Sequence, residues 1–306
     1  FLDLSEFNVN WKLLKNSIAI GSGTIDDAQC APLSKNSFTV PFRLPEKYYS
    51  GDEFILDISV TTKKATDLLP AGTEVACEQL NIDSAGSSTK YNSGESSVTV
   101  VDTPDAYVPT NEHNDFNFSI NKKTGLIEKY TYKGDLLIDK GPTPNFWRGN
   151  VENDGGSARS KLFDTSWENA MNGAEVIGID TGEGSNGAKT VTSHLNLPKA
   201  GNTKVDIKYT IHPDGRVDVD FNVDATRSGL GNLIRVGSMM TLPEGSEQLS
   251  WYGNLTESFN DRKSGGRQGV WESTVSEQFF PYMKADDTGN LTDVKWISVK
   301  NSSNSS

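Results

Sequence analysis

The sequence predicts an all-β protein built from two antiparallel β-sandwiches. Apolar residues recur at every second position in segments such as residues 38–42 and 54–60, which is the period of half-buried strands. Turn-forming residues, such as the run Pro70-Ala-Gly72, separate these segments at the short intervals that a sandwich requires. Because no strand pattern alternates with a helical pattern, the sequence argues against a parallel βα barrel.

The first sandwich is predicted over residues 1–83, where short strands and frequent turns indicate an immunoglobulin-like domain. Residues 84–96 are rich in Ser and Gly and nearly free of apolar side chains. Such a segment cannot offset its ordering entropy by burial, so it is predicted as a linker. Residues 97–306 then predict a larger antiparallel sandwich.

Two local patterns stand out within the larger sandwich. Residues 205–211 and 217–223 alternate apolar and polar side chains around the turn Pro213-Asp-Gly215, which predicts a β-hairpin with one buried face. The spacing Thr165-x-x-Glu168 is that of a capping box and predicts a short helix at about residues 160–172.

The composition argues against several classes of protein. A net charge of −12 without a Lys/Arg stripe would repel phosphate backbones, so nucleic acid is not an expected partner. No apolar run approaches the roughly 18 to 20 residues needed to span a bilayer, so no membrane partner is expected either. Phe1 opens the chain inside a strand-like pattern without Met or a signal peptide, which favours a chain cut from a longer protein.

The cysteines and histidines predict neither a disulfide scaffold nor a metal site. Cys77 lies in a strand pattern and is interpreted as a buried free thiol, with a Cys30–Cys77 bridge as the alternative. His113, His194 and His212 are scattered and lack the spacing of metal ligands.

The most informative segment is Pro144-Asn-Phe-Trp-Arg-Gly-Asn-Val-Glu-Asn-Asp-Gly-Gly156. It resembles the Phe-Trp-Arg-Ala-Pro-Thr-Asp-Asn-Asp signature of the small-chain domain in family 2 glycoside hydrolase β-galactosidases. Further motifs agree with this family in order and spacing: Phe7-Asn-Val-Asn-Trp11, Asn121-Lys-Lys-Thr-Gly125, Trp251-Tyr-Gly-Asn-Leu-Thr-Glu-Ser-Phe-Asn-Asp-Arg262 and Thr292-Asp-Val-Lys-Trp296. The resemblance therefore spans nearly the whole chain.

This resemblance implies a C-terminal fragment of a β-galactosidase. Residues 1–83 would be the immunoglobulin-like domain 4, and residues 97–306 would be part of the galactose-mutarotase-like super-sandwich, truncated at its C-terminus. The parent would hydrolyse terminal β-D-galactosides such as lactose. The family places both catalytic glutamates on a TIM barrel before Phe1, so the fragment is expected to carry no catalytic residue and to be inactive alone.

Cofactors and partners are likewise implied by the resemblance. The fragment is expected to hold no metal or cofactor, whereas the family typically uses Mg²⁺ and a monovalent cation in the barrel. Its expected partners are the rest of the same chain with its TIM barrel, the galactoside substrate and further copies in a homo-oligomer. A bacterial cytoplasmic location is favoured over a secreted or cell-surface one.

The signature segment supplies the candidate site residues. Arg148 offers a bidentate donor, Asn153 and Asp154 offer short polar groups, and Gly156 allows unusual backbone conformations. In the family the equivalent loop reaches the rim of the active site, which implies a substrate-rim loop here. The alternative is an Arg148–Asp154 pair that only fixes a turn. Asn150 also replaces the family's Pro, which puts the rigidity of the loop in question.

Other candidates are interpreted as structural. Asn111-Glu112 looks like the family's acid/base dipeptide but lies in a polar stretch and is interpreted as a solvated loop. Four aspartates are interpreted as a solvated strand face rather than a calcium loop, and three tryptophans as core rather than sugar platforms. These are Asp214, Asp218, Asp220 and Asp224, and Trp251, Trp271 and Trp296.

Two rival functions stay open at this point. The chain could be a stand-alone carbohydrate-binding β-sandwich, which glycan binding by the isolated chain would reveal. It could also be a small subunit that complements a separate barrel subunit. Residues 1–83 argue against the second alternative, because such subunits resemble only the second domain.

Overall fold

The computed structural model describes residues 2–49, 51–82, 96–148, 165–255, 263, 266–283 and 288–301. It confirms the predicted all-β class. The strands are β1 (Phe7–Lys15), β2 (Ile18–Thr24), β3 (Phe54–Thr62), β4 (Glu74–Ile82), β5 (Thr99–Asp102), β6 (Ala106–Thr110), β7 (Phe116–Asn117), β8 (Ile120–Asn121), β9 (Tyr130–Tyr132), β10 (Asp135–Ile138), β11 (Lys140–Asn145), β12 (Glu175–Glu183), β13 (Lys189–Leu197), β14 (Thr203–Ile211), β15 (Val217–Asp224), β16 (Gly237–Thr241), β17 (Ser246–Asn254), β18 (Gln268–Thr274) and β19 (Trp296–Asn301).

The helical elements in these ranges are short 3₁₀ turns at Leu4–Glu6, Pro198–Ala200 and Ser276–Gln278. Within the same ranges, no helix has the length and apolar character to cross a membrane.

The chain divides into two compact units. Unit 1 comprises Phe1–Lys90, Glu247–Phe280 and Thr288–Lys300, and unit 2 comprises Tyr91–Ser246, Pro281–Asp287 and Asn301–Ser306. Most of the predicted linker, residues 84–95, lies outside the described residues. The predicted domain boundaries therefore stay a prediction.

Unit 1 contains an antiparallel sheet in the order β2-β1-β3-β4. One face of this sheet carries Trp11, Leu13, Phe54 and Leu56, which form a small apolar core. Partly buried residues of the following segment, including Val40, Phe42 and Leu44, pack against that core.

The prediction of a strand at residues 38–42 is wrong in one respect. Val40 and Phe42 face the core, as their alternation predicts, but residues 38–42 form no strand in the structure. The backbone bond from Phe42 N to Val40 O, at 3.0 Å, is a local turn contact and not a ladder bond. Alternation reports which side chains are buried, whereas a strand also needs a paired backbone.

The second sheet of unit 1 has the order β18-β17-β19 and contacts the first sheet through polar groups. Gln79 Nε2 donates to Gln268 O at 3.2 Å, and Gln268 N donates to Gln79 Oε1 at 2.8 Å. Val270 N donates to Ser17 Oγ at 3.0 Å. This polar contact joins strands that lie far apart in the sequence.

Unit 2 is built around the sheet β12-β13-β14-β15. The inner face of this sheet includes Val205, Ile207, Tyr209 and Ile211, all fully buried. They belong to one apolar cluster with Phe116, Phe118, Ile120, Phe146 and Trp167. The predicted hairpin is confirmed as β14 and β15, with Ile211 opposite Val217 and Gly215 at a φ of +88° in the turn.

The predicted helix at about residues 160–172 is wrong over its described part, since residues 165–173 form consecutive turns. Ala170 N donates to Trp167 O at 3.3 Å and Asn172 N to Asn169 O at 2.9 Å, which is the spacing of tight turns. Asn169 Nδ2 also donates to Thr165 O at 3.4 Å. Such side-chain bonds to the backbone compete with a regular helix, and Gly173 at a φ of +77° ends the segment.

Candidate functional site

The predicted substrate-rim loop begins at Arg148, three residues after β11 ends at Asn145. Arg148 lies within the described residues and is half-buried. Asn153, Asp154 and Gly156 lie outside them. The structure therefore does not describe the alternative Arg148–Asp154 pair. The structure therefore describes how the segment leaves its scaffold, and the assignment of these four residues stays a prediction.

The start of this segment is anchored in the core of unit 2. The Phe146 side chain is 1% exposed, and its ring centroid lies 5.9 Å from that of Trp167. Trp167 Nε1 donates to Gly231 O at 2.9 Å, which satisfies its one polar atom. The side chain of Asn145 donates to Trp147 O at 2.9 Å. These contacts anchor residues 145–147 in the core, which is the arrangement from which functional loops commonly project.

Strand β11 reaches this base through a close approach to β16. Gly141 has a φ of +99°, and a Cβ placed there would lie 2.6 Å from Met239 O. Only glycine fits this position without displacing the backbone of the partner strand. Next to it, a cavity of about 260 Å³ is lined by Phe146, Trp167, Met171 and Met240, among others.

The interpretation of Asn111-Glu112 as a solvated loop is correct for one residue only. Glu112 is exposed, but Asn111 is 6% exposed. Asn111 Nδ2 donates to Pro213 O at 2.9 Å, and its Oδ1 accepts from Asp115 N at 3.1 Å. Asn111 therefore fastens this loop to the β14–β15 turn, a contact 102 residues away in sequence that no local pattern predicts.

The four aspartates of the β14–β15 hairpin are all exposed, as the solvated-face interpretation requires. Asp218 Oδ2 lies 2.7 Å from His212 Nε2, which is a hydrogen-bonding distance. Asp224 accepts from the hydroxyl of Thr226 at 2.6 Å, and this contact lowers the pKa of Asp224. In the described part of the chain, no group of three or more His, Cys, Asp or Glu side chains is placed to hold a metal ion.

The described carboxyl groups whose pKa departs from its ordinary value all depart downward. The pKa of Asp52 falls to about 2, chiefly because Lys15 bonds to it. The hydroxyls of Ser276 and Ser273, followed by backbone N–H groups, lower the pKa of Glu247 and Glu277. The acid in glycoside hydrolysis needs the opposite shift, because it must hold a proton near neutral pH. These three carboxylates accept hydrogen bonds in the structure.

The tryptophans divide between core and surface. Trp251 is 2% exposed and donates from Nε1 to Asn254 O at 2.8 Å, so the core interpretation is confirmed for it. Trp271 is half-buried and donates to Gly253 O at 3.0 Å. For Trp296 the interpretation is wrong, since it is 44% exposed on β19, an outer strand of its sheet.

The cysteine prediction holds in part. Cys30 and Cys77 are free thiols, so the alternative of a Cys30–Cys77 bridge is not realised. Cys77 is half-buried and not fully buried, because its side of β4 borders a polar cavity in unit 1.

That polar cavity, of about 600 Å³, was not predicted from the sequence. Two ion pairs lie in its lining: Lys263 Nζ lies 2.9 Å from Asp293 Oδ1, and Lys295 Nζ lies 3.4 Å from Glu53 Oε1. Arg267 at its wall bonds to Glu74 at 2.8 Å. These pairs and the amide side chains of Gln79, Asn81 and Gln268 make the lining of the cavity polar.

A second cluster that the sequence does not reveal lies on the outer face of the unit 2 sheet. His194 Nδ1 lies 2.7 Å from Asp206 Oδ1, and His194 Nε2 lies 3.1 Å from Asp180 Oδ2. The bond to Asp206, followed by that to Asp180, raises the pKa of His194. Strand alternation places each residue on the outer face, but only the register of β12, β13 and β14 brings the three together.

Comparison with known proteins identifies the chain by two family models in chain order. The model described as β-galactosidase, domain 4 matches residues 1–83, and the model described as β-galactosidase small chain matches residues 112–306. Among curated proteins, a β-galactosidase of Priestia megaterium is 26% identical over 302 residues, covering 98% of this chain and 28% of the relative.

Two further relatives give the same picture. A β-galactosidase of Psychromonas ingrahamii is 25% identical over 308 residues, covering 96% of this chain and 30% of the relative. One from Lactobacillus delbrueckii subsp. bulgaricus is 30% identical over 191 residues, covering 61% of this chain and 18% of the relative. The chain thus spans less than a third of the length of these curated relatives. It belongs to the β-galactosidase small-chain family and carries a β-galactosidase domain 4 ahead of its small-chain region.

Proposed function

We propose that this chain is the non-catalytic C-terminal region of a β-galactosidase that hydrolyses terminal β-D-galactosides such as lactose. The observation that carries the proposal is the collinear match of two β-galactosidase regions along the chain, together with relatives that align over 98% and 96% of it. The relatives are named β-galactosidases, and an activity shared by distant sequences is argued from ordered motifs and not from fold alone.

The chemistry is assigned to the part of the parent outside this chain. Retaining hydrolysis needs a nucleophilic carboxylate and an acid/base carboxyl roughly 5 Å apart on a rigid scaffold. In the proposal a TIM barrel supplies both glutamates, and it also holds Mg²⁺ and a monovalent cation.

We also propose a direct contribution of the segment from Arg148 to Gly156 to the rim of the sugar pocket. The anchored base of this segment supports the assignment, because Phe146 and Trp167 fix the point from which the loop projects. A rigid base limits the positions that the following polar groups can sample, and well-positioned groups contribute most to binding. Homo-oligomer formation and a bacterial cytoplasmic location complete the proposal.

Activity measurements on the chain and on its complete protein test the main proposal. The 306-residue chain alone should not hydrolyse aryl β-galactosides above background between about pH 4 and pH 9, whereas the complete protein should. Turnover by the isolated chain that one substitution within it abolishes would overturn the proposal. Binding of free glycans by the isolated chain would instead favour a stand-alone carbohydrate-binding module.

Substitutions in the complete enzyme test the rim assignment. Asn153→Ala or Asp154→Ala should lower kcat/KM by roughly 5- to 150-fold, because each removes one positioned polar contact. Gly156→Ala should change kcat and KM together, because an added Cβ restricts the backbone conformations open to this position. Arg148→Ala and Arg148→Lys complete the set, because lysine keeps the positive charge but not the bidentate geometry of the guanidinium. Lower melting temperatures with unchanged kcat/KM would show that the segment only fixes a turn.

A further inference from the structure

Strand β16 lies at an edge of unit 2 and exposes apolar side chains there. It pairs with β11 alone among the described strands. Val236, Met239 and Met240 are 59%, 63% and 52% exposed. Neighbouring residues of a strand point to opposite faces, so the two methionines leave apolar surface exposed on both faces of β16. No described strand pairs with its other edge.

This edge lacks the usual protection against further pairing. Residues 236–241 read Val-Gly-Ser-Met-Met-Thr and contain no charged residue and no proline, the features that commonly keep edge strands from pairing. Strand β15, the edge of the β12–β15 sheet, differs, because Asp218, Asp220 and Asp224 line its outer face. The composition of β16 is that of a strand whose surface is covered.

An apolar recess lies beside the exposed strand. The cavity of about 260 Å³ has the rings of Phe146 and Trp167 in its wall, and Met171, Met239 and Met240 also line it. Methionine side chains are unbranched and adapt their shape to a neighbour, so such a recess suits the apolar side chains of a packed partner. Together, Val236, Met239, Met240 and this recess form what we call the β16 surface.

We propose that the β16 surface is the docking site for the remainder of the same β-galactosidase polypeptide. This inference rests on the proposed function. Its support is the length of the relatives: the Priestia megaterium enzyme matches over 98% of this chain but only 28% of its own length, so most of such a polypeptide lies outside the matched region. A segment of the same chain is present at an effective concentration of roughly millimolar, far above that of a second copy.

The rate of methionine oxidation by peroxide measures whether the β16 surface is covered. All four methionines of the sequence are informative: Met239 and Met240 lie on the β16 surface, Met171 lines its recess, and Met283 is fully exposed elsewhere. In the isolated chain, peroxide should oxidise Met239 and Met240 about as fast as Met283. In the complete protein, we expect their oxidation to slow by at least about fivefold, because the docked segment excludes peroxide.

Charge substitutions supply a second measurement. Met239→Glu and Met240→Glu should leave the melting temperature of the isolated chain within about 2 °C of the unsubstituted chain, since both side chains are exposed there. In the complete protein the same changes should lower the melting temperature and the yield of active enzyme, because a charge would be buried. The matched control is Ile177→Glu on β12, where the isoleucine is 58% exposed and lies outside this surface.

These measurements distinguish failure of the docking inference from failure of the proposed function. Equal oxidation rates in the isolated chain and the complete protein would overturn the inference, as would full activity and stability of the double Met→Glu variant. Protection that disappears on dilution of the complete protein would assign the surface to a second copy and would also overturn it. A complete protein without galactosidase activity but with protected methionines would overturn only the proposed function.

Discussion

The two units hold their sheets together by different physical means. In unit 2 the β12–β15 sheet buries a continuous apolar face that includes Ile207, Tyr209 and Ile211, with no exposed surface on any of the three. In unit 1 the β17–β19 sheet meets the β1–β4 sheet through hydrogen bonds and ion pairs around a polar cavity. Apolar burial is non-directional and scales roughly with the buried area, whereas each polar contact depends on a specific partner being in place.

The difference also decides where water can enter. Close-packed apolar interiors contain few voids. The side chains that line such a void lose the van der Waals contacts that neighbouring atoms would otherwise make. The cavity of unit 1 is lined by amide and charged side chains, which are the groups that buried water bridges. Removing an apolar group should therefore cost more in unit 2 than in unit 1, even where the residue types and burial are the same.

The largest expected effect compares two buried isoleucines. Ile207 is fully buried in the unit 2 core, and Ile55 is 1% exposed at the wall of the polar cavity. Ile207→Ala should lower the free energy of unfolding by about 2 to 5 kcal/mol, with Ile55→Ala at the lower end of that range because water can fill the space it leaves. Urea unfolding followed separately in each unit measures both values.

The control for this pair is Ile177→Ala on β12, where the isoleucine is 58% exposed and the change should stay within about 0.5 kcal/mol. An Ile55→Ala variant that is destabilised more than Ile207→Ala would contradict the contrast between a dry and a hydrated interior.

An intermediate effect is expected at the buried hydroxyl of Tyr252. This residue is 5% exposed, and its hydroxyl donates to Glu53, whose other oxygen lies 3.4 Å from Lys295 Nζ. Burial, followed by the bond to Glu53, raises the pKa of Tyr252, so it stays a donor throughout the pH range of folding experiments. Tyr252→Phe should therefore lower the free energy of unfolding by about 1 to 3 kcal/mol.

Tyr49→Phe is the matched control for this change, since Tyr49 is 60% exposed and the loss of its hydroxyl should have little effect. A Tyr252→Phe variant as stable as Tyr49→Phe in urea would show that the polar contact contributes nothing measurable at Tyr252.

The separation of contacting residues along the chain explains which features could be predicted from the sequence. The β14–β15 hairpin was predictable, because alternating apolar residues and the Pro213-Asp-Gly215 turn act over a short stretch of chain. The pair Gln79 and Gln268 was not, since 189 residues separate them and each is an ordinary surface residue by composition. The capping-box spacing at Thr165 failed for a related reason, because local side-chain bonds and Gly173 favour turns over a helix.

The candidate site shows the same limit. The motif around Arg148 was found from residue identity, but the buried partners that anchor it, Trp167 and Gly231, lie 19 and 83 positions further along the chain and carry no motif of their own. The cluster of His194 with Asp180 and Asp206 requires the register of three strands. Sequence patterns thus indicate which face a residue takes, and long-range register decides what it meets there.

The smallest expected effect is a pH-dependent one at His194. Its ring bonds to Asp206 on β14 and Asp180 on β12, and these carboxylates raise its pKa above the ordinary value of 6.5. A raised pKa in the folded state means that protonated His194 stabilises the fold fully below about pH 6.5 and that this stabilisation is lost as the pH rises through the folded pKa.

His194→Gln should therefore destabilise unit 2 most near about pH 5.5 and least near about pH 8.5. Melting curves across this range, with exposed His113→Gln as the control, measure the difference. A gap between wild type and His194→Gln that stays constant or widens with rising pH would show that the imidazolium between the two aspartates does not stabilise the sheet. A difference in melting temperature that narrows as the pH rises would show that protonated His194 stabilises unit 2 through its two aspartates. This contribution would be weaker than that of the apolar inner face of the sheet.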